Sequence, residues 1–268
     1  MARPEIASRR GARSVTRSAT PVLWQYTFSN FNEKARWALD FKAIEHERRS
    51  LVPGSPRALL FSHRGTVPVL DFNGERIADS TRIIEALERY RPDPPLYPAD
   101  SAQRDRALAL EDFFDEAAGH ELRRAAFYEM RDDPAYVAAV LATGHGANTR
   151  RALRAMLPVS MAYARRRYRI YPADAEEGRA KVAAALDRIE AELQPSGYLV
   201  GTGFTVADLA AAALLFPLAN PPELQYPFPE PAPATRLRDW IDSFSGHRAV
   251  EWIREMYRRH RGSSAAAT

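Results

Sequence analysis

The chain contains no cysteine. That excludes disulfides, thiolate metal sites and any nucleophile built on a protein thiol. It also lacks a run of about 18 apolar residues, so no helix is expected to span a membrane. There is no glycine-rich phosphate loop and no His-Glu-x-x-His pattern, so no metal is expected. Lysine is scarce, and nearly all the cations are arginine. The pI is about 9.4. Yet the net charge is only +4, because 34 acidic residues are interleaved with 38 basic ones. A nucleic-acid surface needs a segregated basic face. The densest basic run, residues 163 to 169, wraps around its helix and reads as a solvated face. No nucleic-acid partner is expected.

The 268 residues suit one large or two modest domains, with enough length to bury a core. Apolar residues make up 46% and charged residues 27%, which is ordinary for a soluble globular protein. Residues 1 to 20 stand apart, with five arginines and a single acid, Glu5. They lack the apolar core of a secretory signal. Their low hydrophobicity predicts a disordered basic tail; their Arg- and Ser-rich composition also fits a mitochondrial transit peptide. Residues 263 to 268 are expected to form a second disordered tail.

The periodicity divides the rest. Residues 22 to 28 read as a buried strand and 31 to 42 as a helix. A short strand follows at 46 to 52, then a weak helix from Arg57 to Ser62. Two strands joined at Asn73-Gly74 come next, the strongest hairpin signal in the chain. A helix at 79 to 90 completes the order β-α-β-α-β-β-α. Residues 92 to 100, rich in proline, form the linker between a domain at 21 to 91 and another at 101 to 262. The second domain reads as helical throughout, over residues 101 to 130, 148 to 170, 174 to 194, 205 to 219 and 235 to 260. The prolines of residues 220 to 233 forbid a helix there.

Four local patterns carry chemistry or structure. Ser29-Asn30-Phe31-Asn32-Glu33-Lys34-Ala35-Arg36 places a serine at a strand-to-helix junction. Thr66-Val67-Pro68-Val69-Leu70 places a proline at the start of a strand. Asp79-Ser80 opens a helix, whose N-terminal N–H groups suit a carboxylate. Thr205-Val206-Ala207-Asp208 is a capping box, flanked by Phe204 and Leu209 as a hydrophobic staple. Each is common alone. In this order and spacing, with an all-helical second domain, they resemble the cytosolic glutathione transferase family of the serine type. The resemblance covers about residues 21 to 260.

It implies an α/β thioredoxin-like N-terminal domain followed by an all-α C-terminal domain. It implies that Ser29 contacts the sulfur of glutathione, that Pro68 is cis, and that the backbone of Val67 pairs with the cysteinyl part. Asp79 and Ser80 would hold the γ-glutamyl end. The family usually has proline at the position of Asn30. A thiol has a pKa of about 8.5, so little is thiolate at neutral pH. A hydrogen bond to a charged group contributes roughly 1.5 to 3 kcal/mol, or about one to two pKa units. A hydroxyl donating to sulfur therefore suffices, and no histidine base is needed. Tyr26 is the rival donor, although a packed strand aromatic is the simpler account of it. His63 and Arg64 are candidates to pair with the glycyl carboxylate. The electrophile pocket is expected between the domains, from Phe31, Asp112, Asp115, Glu116 and Arg123.

The expected activity is a glutathione transferase that directs the thiolate at a small hydrophobic electrophile in detoxification. Glutathione is the co-substrate, and no cofactor is tightly bound. Two alternatives stand beside it: a glutathione-dependent isomerase, and a non-catalytic relative that keeps the fold for binding. A cytoplasmic homodimer is expected from the resemblance alone.

Overall fold

A run of branched and aromatic residues, VLWQ, makes β1 (Val22–Gln25), and the helix after it, α1 (Asn30–Phe41), starts on Ser29 as N-cap. The computed structural model describes residues 20–61 and 66–267. The N-terminal basic tail, apart from Thr20, lies outside the described residues. The first domain continues with β2 (Glu47–Ser50), α2 (Pro56–Phe61), β3 (Val69–Phe72), β4 (Glu75–Ala78) and α3 (Ser80–Tyr90). Its sheet has the order β2-β1-β3-β4. β2 runs parallel to β1, and β3 and β4 antiparallel to their neighbours. This is the thioredoxin-like arrangement. The Val67–Pro68 peptide is cis. Asn73 and Gly74 both have positive φ, 51° and 84°, so the two-residue loop matches the twist of the strands it joins.

The second domain is helical, with α4 (Ser101–Phe114), a π-helical turn (Asp115–His120), α5 (Glu121–Glu129), α6 (Pro134–Leu141), α7 (Ala147–Arg167), α8 (Pro172–Glu192), α9 (Val206–Ala219), α10 (Arg236–Asp242) and α11 (Arg248–His260). Three details differ from the sequence reading. The single helix expected over 101 to 130 is interrupted by the π turn. Gly119 lies in that turn, and a Cβ there would sit 2.4 Å from Phe31 Cζ, so only glycine admits the ring of α1 this closely. α6 was not foreseen, although Asp133 caps it by accepting from Tyr136 N–H and Pro134 sits at its start. The helix expected over 235 to 260 is two helices, parted at the Ser-Phe-Ser-Gly-His stretch of residues 243 to 247.

α9 is buried on almost every side and packs against α1, α4 and α11, so it forms the axis of the molecule. Both ends of the linker are fixed. Lys42 Nζ donates to the carbonyls of Arg91 and Pro94, each at 2.8 Å, and Leu96 is buried and accepts from Val206 N–H. The C-terminal residues, expected to hang free, lie against the first domain. Ala265 N–H donates to Asp40 Oδ1 and Ala267 N–H to the His46 carbonyl, both at 2.8 Å. An unpaired backbone carbonyl just before β2, at the edge of the sheet, gives a small apolar tail somewhere to bind.

Asp208 holds the start of α9. Its carboxylate accepts from Leu199 N–H, Thr205 N–H and the Thr205 hydroxyl, all at 2.8 Å. Burial pushes its carboxyl up to about 6, against the pull of those three donors. Asp208→Ala would leave three donors buried without an acceptor. We expect a loss of at least about 3 kcal/mol in chemical unfolding; a loss below about 1 kcal/mol would show that water replaces the carboxylate.

Candidate functional site

The candidate site is assembled where the end of β1 and the start of β3 meet the starts of α1 and α3. Ser29 takes the N-cap position of α1 in extended conformation, but its hydroxyl makes no bond to the helix. A serine at this position ordinarily caps. The loop that presents it is held from beneath by Arg36. The guanidinium donates to the carbonyls of Tyr26 (3.5 Å) and Thr27 (3.1 Å), to Gln25 Oε1 (2.8 Å) and to Glu33 (2.8 Å). The Thr27 hydroxyl donates to the Thr143 carbonyl at the end of α6.

Asn30 follows at the first helical position, where proline is common because its missing N–H has no partner there anyway. The amide does what proline cannot. Its Nδ2 donates to the carbonyls of Gly119 (3.2 Å) and Leu214 (3.1 Å), and its Oδ1 accepts from Phe31 N–H. The start of α1 is thereby tied to both the π turn and α9.

The cis peptide and α3 join the same cluster through hydrogen bonds. Asn32 Nδ2 donates to the Val67 carbonyl (3.3 Å), and Asp79 N–H to that of Pro68 (3.4 Å). Asp79 has φ 83°, a region L-residues rarely adopt, and its Oδ1 caps α3 by accepting from Thr81 and Arg82 N–H. Two polar atoms here are buried without a partner: Asn32 Oδ1 and Ser80 Oγ. His63 and Arg64 lie outside the described residues.

The expected electrophile wall is only partly gathered. Phe31 packs its ring on His120, with centroids 4.9 Å apart. Arg123 stacks on Tyr168. Asp112 and Glu116 are exposed. Asp115 does not stand free in a pocket: it accepts from Lys34 Nζ at 2.7 and 2.8 Å and from the Thr81 hydroxyl at 2.9 Å. Burial alone would lower the ammonium of Lys34, but Glu111 and Asp115 outweigh it and hold it charged. Tyr26 stacks on Phe28 at 5.5 Å, and burial, together with Tyr168 and Tyr163, pushes its hydroxyl up to about 12. Tyr26 therefore keeps its proton at any physiological pH. Tyr163 and Tyr168 were not read as site residues, because only the fold brings the C-terminal end of α7 into the neighbourhood of Tyr26.

Two family models match the chain. Residues 23–95 match the glutathione S-transferase N-terminal domain and residues 171–243 the glutathione S-transferase C-terminal domain. α6 and α7 fall between the two. Among curated proteins, the maleylacetoacetate isomerase of Rhizobium meliloti is 33% identical over 94 residues, which are 33% of this chain and 44% of that protein. A probable maleylacetoacetate isomerase of Caenorhabditis elegans is 33% identical over 94 residues, 34% of this chain and 44% of its own. The matched region thus spans less than half the length of these relatives. Among solved structures, the fold is shared with the beta-etherase LigF of Sphingobium (TM-score 0.56, 23% identity, 88% of this chain and 99% of that one). It is shared too with a Methylobacillus flagellatus glutathione S-transferase that has glutathione bound (TM-score 0.58, 21% identity, 90% and 97%).

Asn30 gives a direct test of the tie between the domains. Asn30→Ala removes the donor to two carbonyls and should lower the unfolding free energy by about 1 to 2 kcal/mol. Thermal and denaturant melts measure it; an unchanged midpoint would mean that the two contacts contribute nothing net.

Proposed function

The chain belongs to the glutathione S-transferase family, and from that premise we propose that it is a glutathione-dependent transferase whose thiolate is held by Ser29. One observation carries the reading. Ser29 has the N-cap position, yet its hydroxyl makes no bond to the helix and remains available to a ligand. The buried, unpartnered Ser80 Oγ and Asn32 Oδ1 support it, since a ligand's polar groups would satisfy both.

Glutathione lies with its cysteinyl backbone along Val67 and its γ-glutamyl carboxylate at the Ser80 hydroxyl. The Ser29 hydroxyl donates to the sulfur, and the N-terminus of α1 adds a partial positive charge. Both favour the thiolate over the thiol. The thiolate then attacks the electrophile. In a substitution the carbon–sulfur bond forms and the leaving group departs with its electron pair. In an addition the pair moves onto the acceptor, which takes a proton from water. Ser29 keeps its own proton throughout and forms no covalent bond. The loop is held by Arg36, so the donor is in place before the substrate arrives.

A second reading has its own support. One curated relative is named a maleylacetoacetate isomerase and the other a probable one. In this reading the thiolate adds to a conjugated double bond, the single bond so formed rotates, and elimination returns the thiol. The two readings differ in stoichiometry: a transferase consumes one thiol per turnover, and an isomerase consumes none.

Ser29→Ala should lower kcat/KM for thiol conjugation by at least about tenfold and raise the pKa seen in its pH profile by about one unit. Circular dichroism should be unchanged. An unaltered rate and pH profile would remove Ser29 from the mechanism. Tyr26→Phe is expected to leave the pH profile in place; if Tyr26→Phe instead raises that pKa while Ser29→Ala does not, Tyr26 is the donor.

A further inference from the structure

Arg123 is a cation without an anion. It lies on α5, half-buried, with its guanidinium 4.3 Å from the centre of the Tyr168 ring. Its Nε is buried and makes no hydrogen bond. Among the described residues no carboxylate lies within ion-pair distance of it. The surroundings make this worse rather than better. Arg167 is stacked on the same tyrosine at 5.5 Å, and Arg124 donates to the Tyr168 carbonyl at 3.2 Å. The neighbouring acid, Glu121, is taken by Arg124 (2.6 Å) and Lys181 (3.5 Å). Burial, with Arg167 and Arg124 nearby, pushes the Arg123 guanidinium down. Burying a charge beside like charges is unfavourable unless something pairs with it. In a molecule that pairs its other buried arginines, this one lacks a partner of its own.

The place of Arg123 indicates what the partner is. Arg123 stands three residues after His120, whose ring rests on Phe31, two residues after Ser29. Burial and Arg123 together push His120 down, so the imidazole is neutral near pH 7 and does not compete for an anion. A wall of partly exposed rings at the start of α1, those of Tyr26, Phe28, Phe31 and His120, thus continues along α5 to Arg123 and the Tyr168 ring it stacks on, with no ion pair to that guanidinium among the described residues. Flat aromatic faces accept a planar body, and a guanidinium takes a carboxylate through its outer nitrogens.

We propose that this wall is an anion subsite, in which Arg123, braced on Tyr168, binds a carboxylate carried by a planar aromatic second substrate. The assignment rests on the reading of Ser29 as the thiol site, which fixes where the second substrate reacts. Arg123 is a specificity residue here: it selects the substrate and takes no part in bond making. α7 supplies Tyr168's neighbourhood from outside both family matches, so the selectivity belongs to an element the family models do not describe.

The test uses 4-chloro-3,5-dinitrobenzoate and its methyl ester. In both, the thiolate of glutathione forms the carbon–sulfur bond at the ring carbon and chloride leaves with the electron pair. After division by the uncatalysed rates, the carboxylate should be preferred in kcat/KM by about tenfold. Arg123→Gln should bring the ratio close to one, and Arg123→Lys should keep part of it. Ser29→Ala should lower both rates and leave the ratio in place. Calorimetry with the two glutathione conjugates gives the same comparison without turnover. Selective binding of the carboxylate conjugate in a protein that catalyses neither reaction would uphold the subsite and overturn the transferase. Equal handling of acid and ester by the wild type, equal losses on both in Arg123→Gln, or failure of the carboxylate conjugate to bind would each overturn the subsite.

Discussion

The ammonium of Lys34 is fully buried on α1, 2.8 Å from Glu111 and 2.7 Å from Asp115, and it donates as well to the Thr81 hydroxyl at 3.1 Å. One charge thus joins the first helix to α3 of its own domain and to α4 and the π turn of the other. On the same helix, Glu33 lies between Arg36 and Arg261, and Asp40 between Arg261 and Arg48. Arg261 comes from beyond the end of α11, so the far end of the chain closes on the same helix. Burial alone would raise Glu33, but Arg261 and Arg36 outweigh it and keep it ionised. Such clusters give no assurance of net stability, because desolvation offsets most of the attraction. Their effect is on geometry. Removing any one partner leaves a buried charge exposed to nothing, so the two domains have one relative placement and few near alternatives.

That placement matters because the candidate site lies on the same helix. Ser29, Asn30 and Asn32 occupy the first turn of α1; Lys34, Arg36 and Asp40 anchor the turns behind it. Thiol activation by a hydroxyl depends on sub-ångström placement of the donor, and rigid elements achieve this better than loops do. Here a loop presents the hydroxyl, but Arg36 holds two of its carbonyls and Asn30 holds the turn that follows. The polar residues of α1 are therefore engaged, with the Ser29 hydroxyl standing apart.

Much of the fold was legible because local rules decide it. Asn73-Gly74 admits little but a tight hairpin, the prolines of residues 220 to 233 forbid a helix, and Thr205 with Asp208 marks the start of α9. The Ser29, Val67-Pro68 and Asp79-Ser80 patterns are local too, which is why they were visible as motifs. Other features depend on contacts distant in sequence. The close approach of Phe31 to Gly119 in the π turn joins residues 88 positions apart in the chain. Asn30 was visible only as a departure from proline; its two carbonyl partners are fixed by the fold. Asp115 read as a pocket acid, since the sequence does not say that Lys34 reaches it. α6 carried a local signal, an aspartate before a proline, that a reading for long periodic helices passes over.

The charged side chains that join the domains are engaged with opposite charges, whereas some polar atoms near the candidate site are not. Glu33, Lys34, Arg36, Asp40 and Arg261 are buried charges, and each meets an opposite charge. Packing groups of this cost in water-free surroundings is tolerable because each has its complement. Ser80 Oγ, Asn32 Oδ1 and Arg123 Nε lack theirs, and they do not share a structural purpose with one another. Asn32 and Ser80 lie at the starts of α1 and α3, and Arg123 lies on α5, three residues after the His120 ring that packs on Phe31. The first two are neutral and suit the polar groups of a peptide, while the third is cationic and is stacked on an aromatic ring. On the reading proposed above, a peptide-like thiol meets the first pair and a planar anion the third, which would hold the two reactants side by side.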